Sequence, residues 1–117
     1  MWEIEGTDVF QAWYDTLGGP EWSAVNAAVE KLIHVGPGLR RPLVGHIKGS
    51  HHPRMRELVV PYRNLRVLFA FDPRRTAILL VGGDKTNRWQ EWYDENVAPA
   101  DDLYDIYLEE LGKEGIL

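Results

Sequence analysis

Apolar positions recur at two different spacings along this chain, and the changes divide it into a helical third, a strand-rich centre and a helical end. Trp2 and Ile4 alternate with Glu3 and Glu5, the period of a short strand within residues 1–6. Thr7 or Asp8 can cap a helix running to about Leu17, and Gly18-Gly19 ends it. Pro20 suits the first turn of a second helix, where Glu21 complements the positive end of the helix dipole. Val25, Ala28, Val29, Leu32 and Ile33 give that helix an apolar stripe, and Gly36-Pro37-Gly38 stops it. The two helices read as an antiparallel pair with a tight connection.

From Val44 the period becomes two. His46–Lys48, Met55–Val60, Leu65–Asp72 and Thr76–Gly82 read as strands rich in Val, Leu, Ile and Phe. Pro61-Tyr62-Arg63-Asn64 and Asp72-Pro73-Arg74-Arg75 have the length and composition of hairpin turns, so the last three strands form an antiparallel meander. Trp89, Trp92 and Tyr93 then mark a short helical turn. Pro99 opens a final helix whose stripe is Ala100, Leu103, Tyr104, Tyr107, Leu108 and Leu111, with an acidic opposite face. Alternation places Arg56 with Leu58 and Val60, and Arg66 with Leu68 and Ala70. Arginine is seldom buried without a partner. Both arginines are therefore expected where a covered sheet face opens to solvent, or on an uncovered face. Whether they meet depends on strand register.

Composition changes this picture through charge. The 117 residues carry a formal net charge of −5, which argues against a polyanionic ligand taken alone. Yet eleven of the thirteen basic residues lie between Arg40 and Arg88, with only Glu57, Asp72 and Asp84 opposing them, a local net of +8. The expectation is one basic and one acidic face on a single domain spanning residues 1–117. Cysteine is absent, so disulfides and thiolate metal sites are excluded. The start of the chain lacks the basic-then-apolar pattern of a secretory signal, and no apolar run is long enough to span a bilayer. A cytoplasmic protein without membrane contact is expected.

Met55-Arg56-Glu57-Leu58-Val59-Val60, Leu65-Arg66-Val67-Leu68-Phe69-Ala70-Phe71, Ala77 to Gly82-Gly83-Asp84-Lys85-Thr86 and Ala100-Asp101-Asp102-Leu103-Tyr104 stand in that order. This succession is similar to the core of RelE/HigB-type toxins of toxin–antitoxin pairs, and looks nearest to the phage-derived HigB-like branch. The resemblance covers roughly residues 40–110. It implies a RelE-like α+β fold, in which an N-terminal strand and two helices pack on an antiparallel meander, followed by a C-terminal helix. It also implies a metal-independent, cofactor-free endoribonuclease that enters the ribosome and cuts mRNA by attack of a ribose 2′-OH on the adjacent phosphate. A helix-turn-helix antitoxin would be its partner, with no sequence-specific DNA contact from this chain alone. Carried across by position, Arg66 matches the strand arginine at the scissile phosphate, Arg56 that of the preceding strand, and Lys85 the lysine after the last strand. Arg88 is a further candidate. Two features depart from the family: the sequence pI is near 5.3, and Asp84 stands where a second basic residue is common.

Such chemistry needs cations at the phosphoryl oxygens, a group to take the 2′ proton and a donor for the leaving oxygen. Histidine suits proton transfer near neutral pH, and His52 is favoured over His46 and His51 for its nearness to Arg56. The alternatives are plain. Arg56 and Arg66 could instead pair with Glu57, Asp72 or C-terminal carboxylates, Lys85 could be a solvated turn lysine, and the three histidines could be surface residues. Trp89, Trp92 and Tyr93 could stack on bases or simply pack in the core. The Gly82–Thr86 turn lacks the glycine spacing of a P-loop and is not read as one. Two further functions stay open: a ParE-like toxin acting on DNA gyrase, and a toxin-derived binding module without catalysis.

Overall fold

Five strands and three α-helices make up the computed structural model, which describes residues 1–115. The helices are α1 (Asp8–Tyr14), α2 (Gly19–Val35) and α3 (Glu91–Lys113). The strands are β1 (Ile4–Gly6), β2 (Val44–His46), β3 (Arg56–Val59), β4 (Leu65–Phe71) and β5 (Ala77–Asp84), in sheet order β1-β5-β4-β3-β2. The expected meander is present as β3-β4-β5. The sheet is nonetheless mixed, because β1 joins the edge of β5 in parallel, with Ile4 opposite Ala77.

Alternation along β4 sends its side chains to two separate cores. Leu65, Val67, Phe69 and Phe71 meet Phe10 of α1 and Val25, Ala28 and Leu32 of α2. Leu68 and Ala70 meet Trp92, Val97, Ala100 and Tyr104 of α3. Helices thus cover both faces of the sheet rather than one. A bulge adjusts the α3 face: Leu68 pairs with Val81 and Phe69 with Leu79, so Leu80 is extra and both Leu80 and Val81 point towards α3. Past the bulge, two adjacent glycines let each helix layer come close. A Cβ on Gly82 would lie 2.1 Å from the Trp13 ring, and one on Gly83 would lie 2.4 Å from Trp92.

Local signals fixed most helix ends. Thr7 caps α1, accepting from the Phe10 N–H at 3.0 Å, and its hydroxyl donates to the Leu80 carbonyl at 2.7 Å. Three boundaries differ from expectation. Helix α1 ends at Tyr14 rather than Leu17, because the N–H groups of Thr16 and Leu17 turn back to Trp13 and Tyr14 in tighter three-residue turns. Strand β2 ends at His46, because Asp101 of α3 accepts from the Ser50 hydroxyl and the His51 N–H and draws that loop off the sheet. Pro99 does not open a helix but lies inside α3. Its ring is exposed while Trp92, Val97, Ala100 and Tyr104 bury on the opposite side, so packing carries the helix through a proline.

The basic residues do not gather on one face. The β3–β4 and β4–β5 turns lie at opposite ends of the sheet, which separates Arg63 from Arg74 and Arg75. Arg63 meets Glu21 at 3.6 Å, whereas Arg74 meets Asp72 at 2.9 Å and Arg75 lies over the Trp2 ring. No helix among the described residues is long and apolar enough to cross a membrane.

Candidate functional site

Strand register decides what surrounds Arg66. It stands opposite Val59, while Glu57 stands opposite Leu68, and all four face α3. Arg66 and Glu57 are thus diagonal neighbours on one face, and Arg66 Nε donates to Glu57 Oε1 at 3.1 Å. Arg66 Nη1 donates to the Leu65 carbonyl at 2.9 Å. The guanidinium also reaches the Tyr93 hydroxyl of α3. The pair is shielded, with side chains only 14% and 10% exposed.

Helix α3 and the end of β5 complete the group. With Trp92 seated against Gly83, the neighbouring Tyr93 hydroxyl reaches Glu57 and donates to the same Oε1 at 2.7 Å. Lys85 follows β5 directly, and its Nζ donates to the Tyr93 hydroxyl at 3.2 Å. The ammonium also lies 5.0 Å from the Tyr93 ring centre and 5.3 Å from that of Trp89. Asp84 spends its charge locally, accepting from the N–H and hydroxyl of Thr86. Beside the group a cavity of about 200 Å³ is bounded by His46, Ile47, Lys48, Glu57, Gln90 and Tyr93.

Proton affinities follow from this packing. Burial lowers the pKa of Lys85, the Arg66 charge lowers it further, and Glu57 opposes both. Burial pushes the Tyr93 phenol up to about 12, and its hydrogen bond to Glu57 acts in the same direction. Tyr93 is therefore a protonated donor through the neutral range. One small volume holds a fixed cation, an amine biased towards releasing its proton, a phenolic O–H and a carboxylate.

The other expected site residues lie elsewhere. Arg56 stands opposite Phe69 and so points to the face covered by α1 and α2, away from Arg66. Arg88 pairs with Glu95, which raises its pKa. His52 Nε2 donates to Asp105 Oδ1 at 2.7 Å, and its ring stands edge-on to Tyr104. His51 joins the same Asp105 at 3.1 Å and contacts the buried Asp101 through Nδ1. Burial alone would raise Asp105, yet hydrogen bonds from both histidines hold it below the usual carboxylate range. Asp105 follows Tyr93 by twelve positions along α3, about 18 Å of helix. His52 is thus a tether between its loop and α3, and the Arg66 group contains no histidine.

Glu57 and Tyr93 are the members that residue type alone did not single out as reactive. Glu57 appeared only as a possible partner of Arg66, and Tyr93 only as an aromatic at helical spacing. The signal for Glu57 was its alternation against Arg56, which sends it to the other face once the hairpin register is known.

The profile of the family described as Phage derived protein Gp49-like (DUF891) matches residues 12–105. Two Mycobacterium tuberculosis proteins, provisionally named toxin HigB2 and toxin HigB3, are similar in sequence. The first is 42% identical over 100 residues, covering 83% of this chain but 50% of that protein, so the chain spans half its length. The second is 40% identical over 98 residues, covering 84% of this chain and 86% of that protein. A solved structure of an arginine-substituted E. coli toxin RelE in the free state matches with a TM-score of 0.62, covering 83% of this chain and 95% of that one. At 11% identity that likeness concerns fold alone, and the fold is RelE-like.

Proposed function

Because the chain belongs to the Gp49-like family of RelE/HigB-type toxins, we propose that it is an endoribonuclease that cuts mRNA on the ribosome and is neutralised by a helix-turn-helix antitoxin. The observation that carries this reading is the joining of Arg66, Lys85, Tyr93 and Glu57 in one hydrogen-bonded group, two of whose members, Glu57 and Tyr93, line a cavity.

Each residue has a task its chemistry suits. The Arg66 guanidinium and the Lys85 ammonium face phosphoryl oxygens and stabilise the charge that builds on them. Glu57 takes the proton of the ribose 2′-OH as its oxygen attacks phosphorus. Tyr93 gives its proton to the 5′ oxygen as the phosphorus–oxygen bond breaks. The products are a 2′,3′-cyclic phosphate and a free 5′-OH, and the 2′-OH requirement restricts the reaction to RNA. No metal is needed in this scheme, since cationic side chains supply the charge.

Induced expression should arrest growth and leave translated messages cut. Arg66→Ala should lower cleavage by about 10²–10³-fold, the usual cost of removing one preorganised donor. Intact mRNA in cells that accumulate the folded protein would overturn the proposal. Growth arrest that survives Arg66→Ala with intact mRNA would point instead to a protein target such as gyrase.

A further inference from the structure

Arg56 opens onto a second and larger cavity, of about 680 Å³, at the β2 edge of the sheet. Its lining includes Arg40, Arg41, His46 and Arg56 together with Leu39 and Val44, and no carboxylate. Among the described residues, none of these three arginines has an ion-pair partner. That contrasts with Arg63, Arg66, Arg74 and Arg88, each of which meets a carboxylate.

The cavity has positioned walls. Gly45 is buried in β2, and a Cβ there would lie 2.7 Å from Arg41 Nη2. Gly45 stands opposite Glu57, so the missing side chain gives the Arg41 guanidinium a bed on the α3 side of β2, across the strand edge from Arg56. Arg56 is half-buried and held in register by pairing with His46 and Phe69. Three guanidinium groups without carboxylates around a hollow form an oxyanion receptor, since the planar fork matches phosphate in two-point contacts.

His46 lines this cavity and also the smaller one beside Glu57 and Tyr93, where Lys48 stands. We infer that the Arg40–Arg41–Arg56 cavity binds the phosphodiester backbone of the same RNA strand that is cut, a few nucleotides from the scissile bond. The strand would cross the short β2 edge past Lys48 and His46. This inference rests on the endoribonuclease reading. The continuity through His46 favours RNA over an acidic protein segment, because it leads directly to the group that would perform cleavage.

The test uses the whole chain and a fluorescent single-stranded RNA of about twelve nucleotides, 2′-O-methylated so that it cannot be cut. Affinity is measured by anisotropy across a range of salt. Wild-type binding should fall with salt, and Arg40→Gln, Arg41→Gln and Arg56→Gln should each lower the slope by about 0.7. The triple variant should bind roughly tenfold or more weakly at low salt. The triple Arg→Lys variant, which keeps the charge, should recover most of the slope and controls for folding. A triple Gln variant with wild-type affinity and slope would overturn the inference. So would one that keeps RNA binding but fails to bind its co-expressed antitoxin, which would make the cavity a protein surface. Message cleavage by the wild type in cells is scored separately. Its absence would sink the endoribonuclease reading, whereas cleavage with RNA binding insensitive to the triple change would sink only this inference.

Discussion

Two strand arginines stand on opposite faces of the sheet: Arg66, on the α3 face, meets a carboxylate, whereas Arg56, on the α2 face, meets none among the described residues. Arg66 is bound to Glu57, and Glu57 also accepts from Tyr93, which accepts in turn from Lys85. Arg56, on the adjacent strand, opens with Arg40 and Arg41 onto a cavity without acidic lining. Residues of one type, a strand apart, thus stand in opposite electrostatic settings. A preorganised, shielded network suits bond-making and bond-breaking, because charge and proton donors act most strongly where water is limited. An open cluster of unneutralised cations suits holding a polyanion, and its contribution is screened by salt.

The sharpest way to break that comparison is Glu57→Gln. The amide oxygen can still accept from Tyr93 and Arg66, so the geometry and fold should survive. The variant cannot take a proton. Cleavage should fall by about 10²–10⁴-fold in a variant that stays folded. Unchanged activity would reduce Glu57 to a tether for Arg66 and leave the α3 face without its proton acceptor.

A weaker blow falls on the glycine pair of β5, which serves the two faces one residue apart. Gly82→Ala drives a methyl into Trp13, and Gly83→Ala drives one into Trp92. Each should destabilise the protein by about 1–3 kcal/mol, read from denaturant midpoints, through overpacking. Only Gly83→Ala displaces the start of α3 and with it Tyr93. Cleavage per folded molecule should therefore fall for Gly83→Ala and hold for Gly82→Ala. Equal losses would mean that the two faces are not separable.

What the sequence made legible was local. The α2 stripe, the two hairpin turns, the Thr7 cap and the stop at Gly36 each depend on residues within a few positions, and all are present. The parallel pairing of β1 with β5 joins residues 73 apart in number, Ile4 and Ala77, and no local period encodes it. Pro99 misled because proline normally begins a helix, whereas here the buried side of α3 is continuous from Trp92 to Tyr104. The site was half legible. Arg66 and Lys85 could be named from strand motifs, but their company depends on register. A single-residue shift in the β3–β4 pairing would exchange Arg56 and Glu57 between the faces. His52 was near Arg56 in sequence and is held by Asp105 of α3 in space.

The smallest effect concerns the proton on Tyr93. Its folded pKa is raised from the ordinary 10 to about 12, by burial first and by Glu57 second. A raised pKa means that the folded state holds the proton more tightly than the unfolded chain. The stabilisation is therefore complete below pH 10 and is lost as pH rises towards about 12. The difference in phenolate absorbance between wild type and Tyr93→Phe isolates this one titration from those of the other tyrosines. Its midpoint should lie near 12 in the wild type, and in Glu57→Gln it should move back towards the ordinary value. Burial would hold part of the shift, since it is the larger cause. A Tyr93 midpoint near 10 in the wild type would show the phenol open to water and unbonded to Glu57, and the closed network that distinguishes the α3 face would not exist in solution.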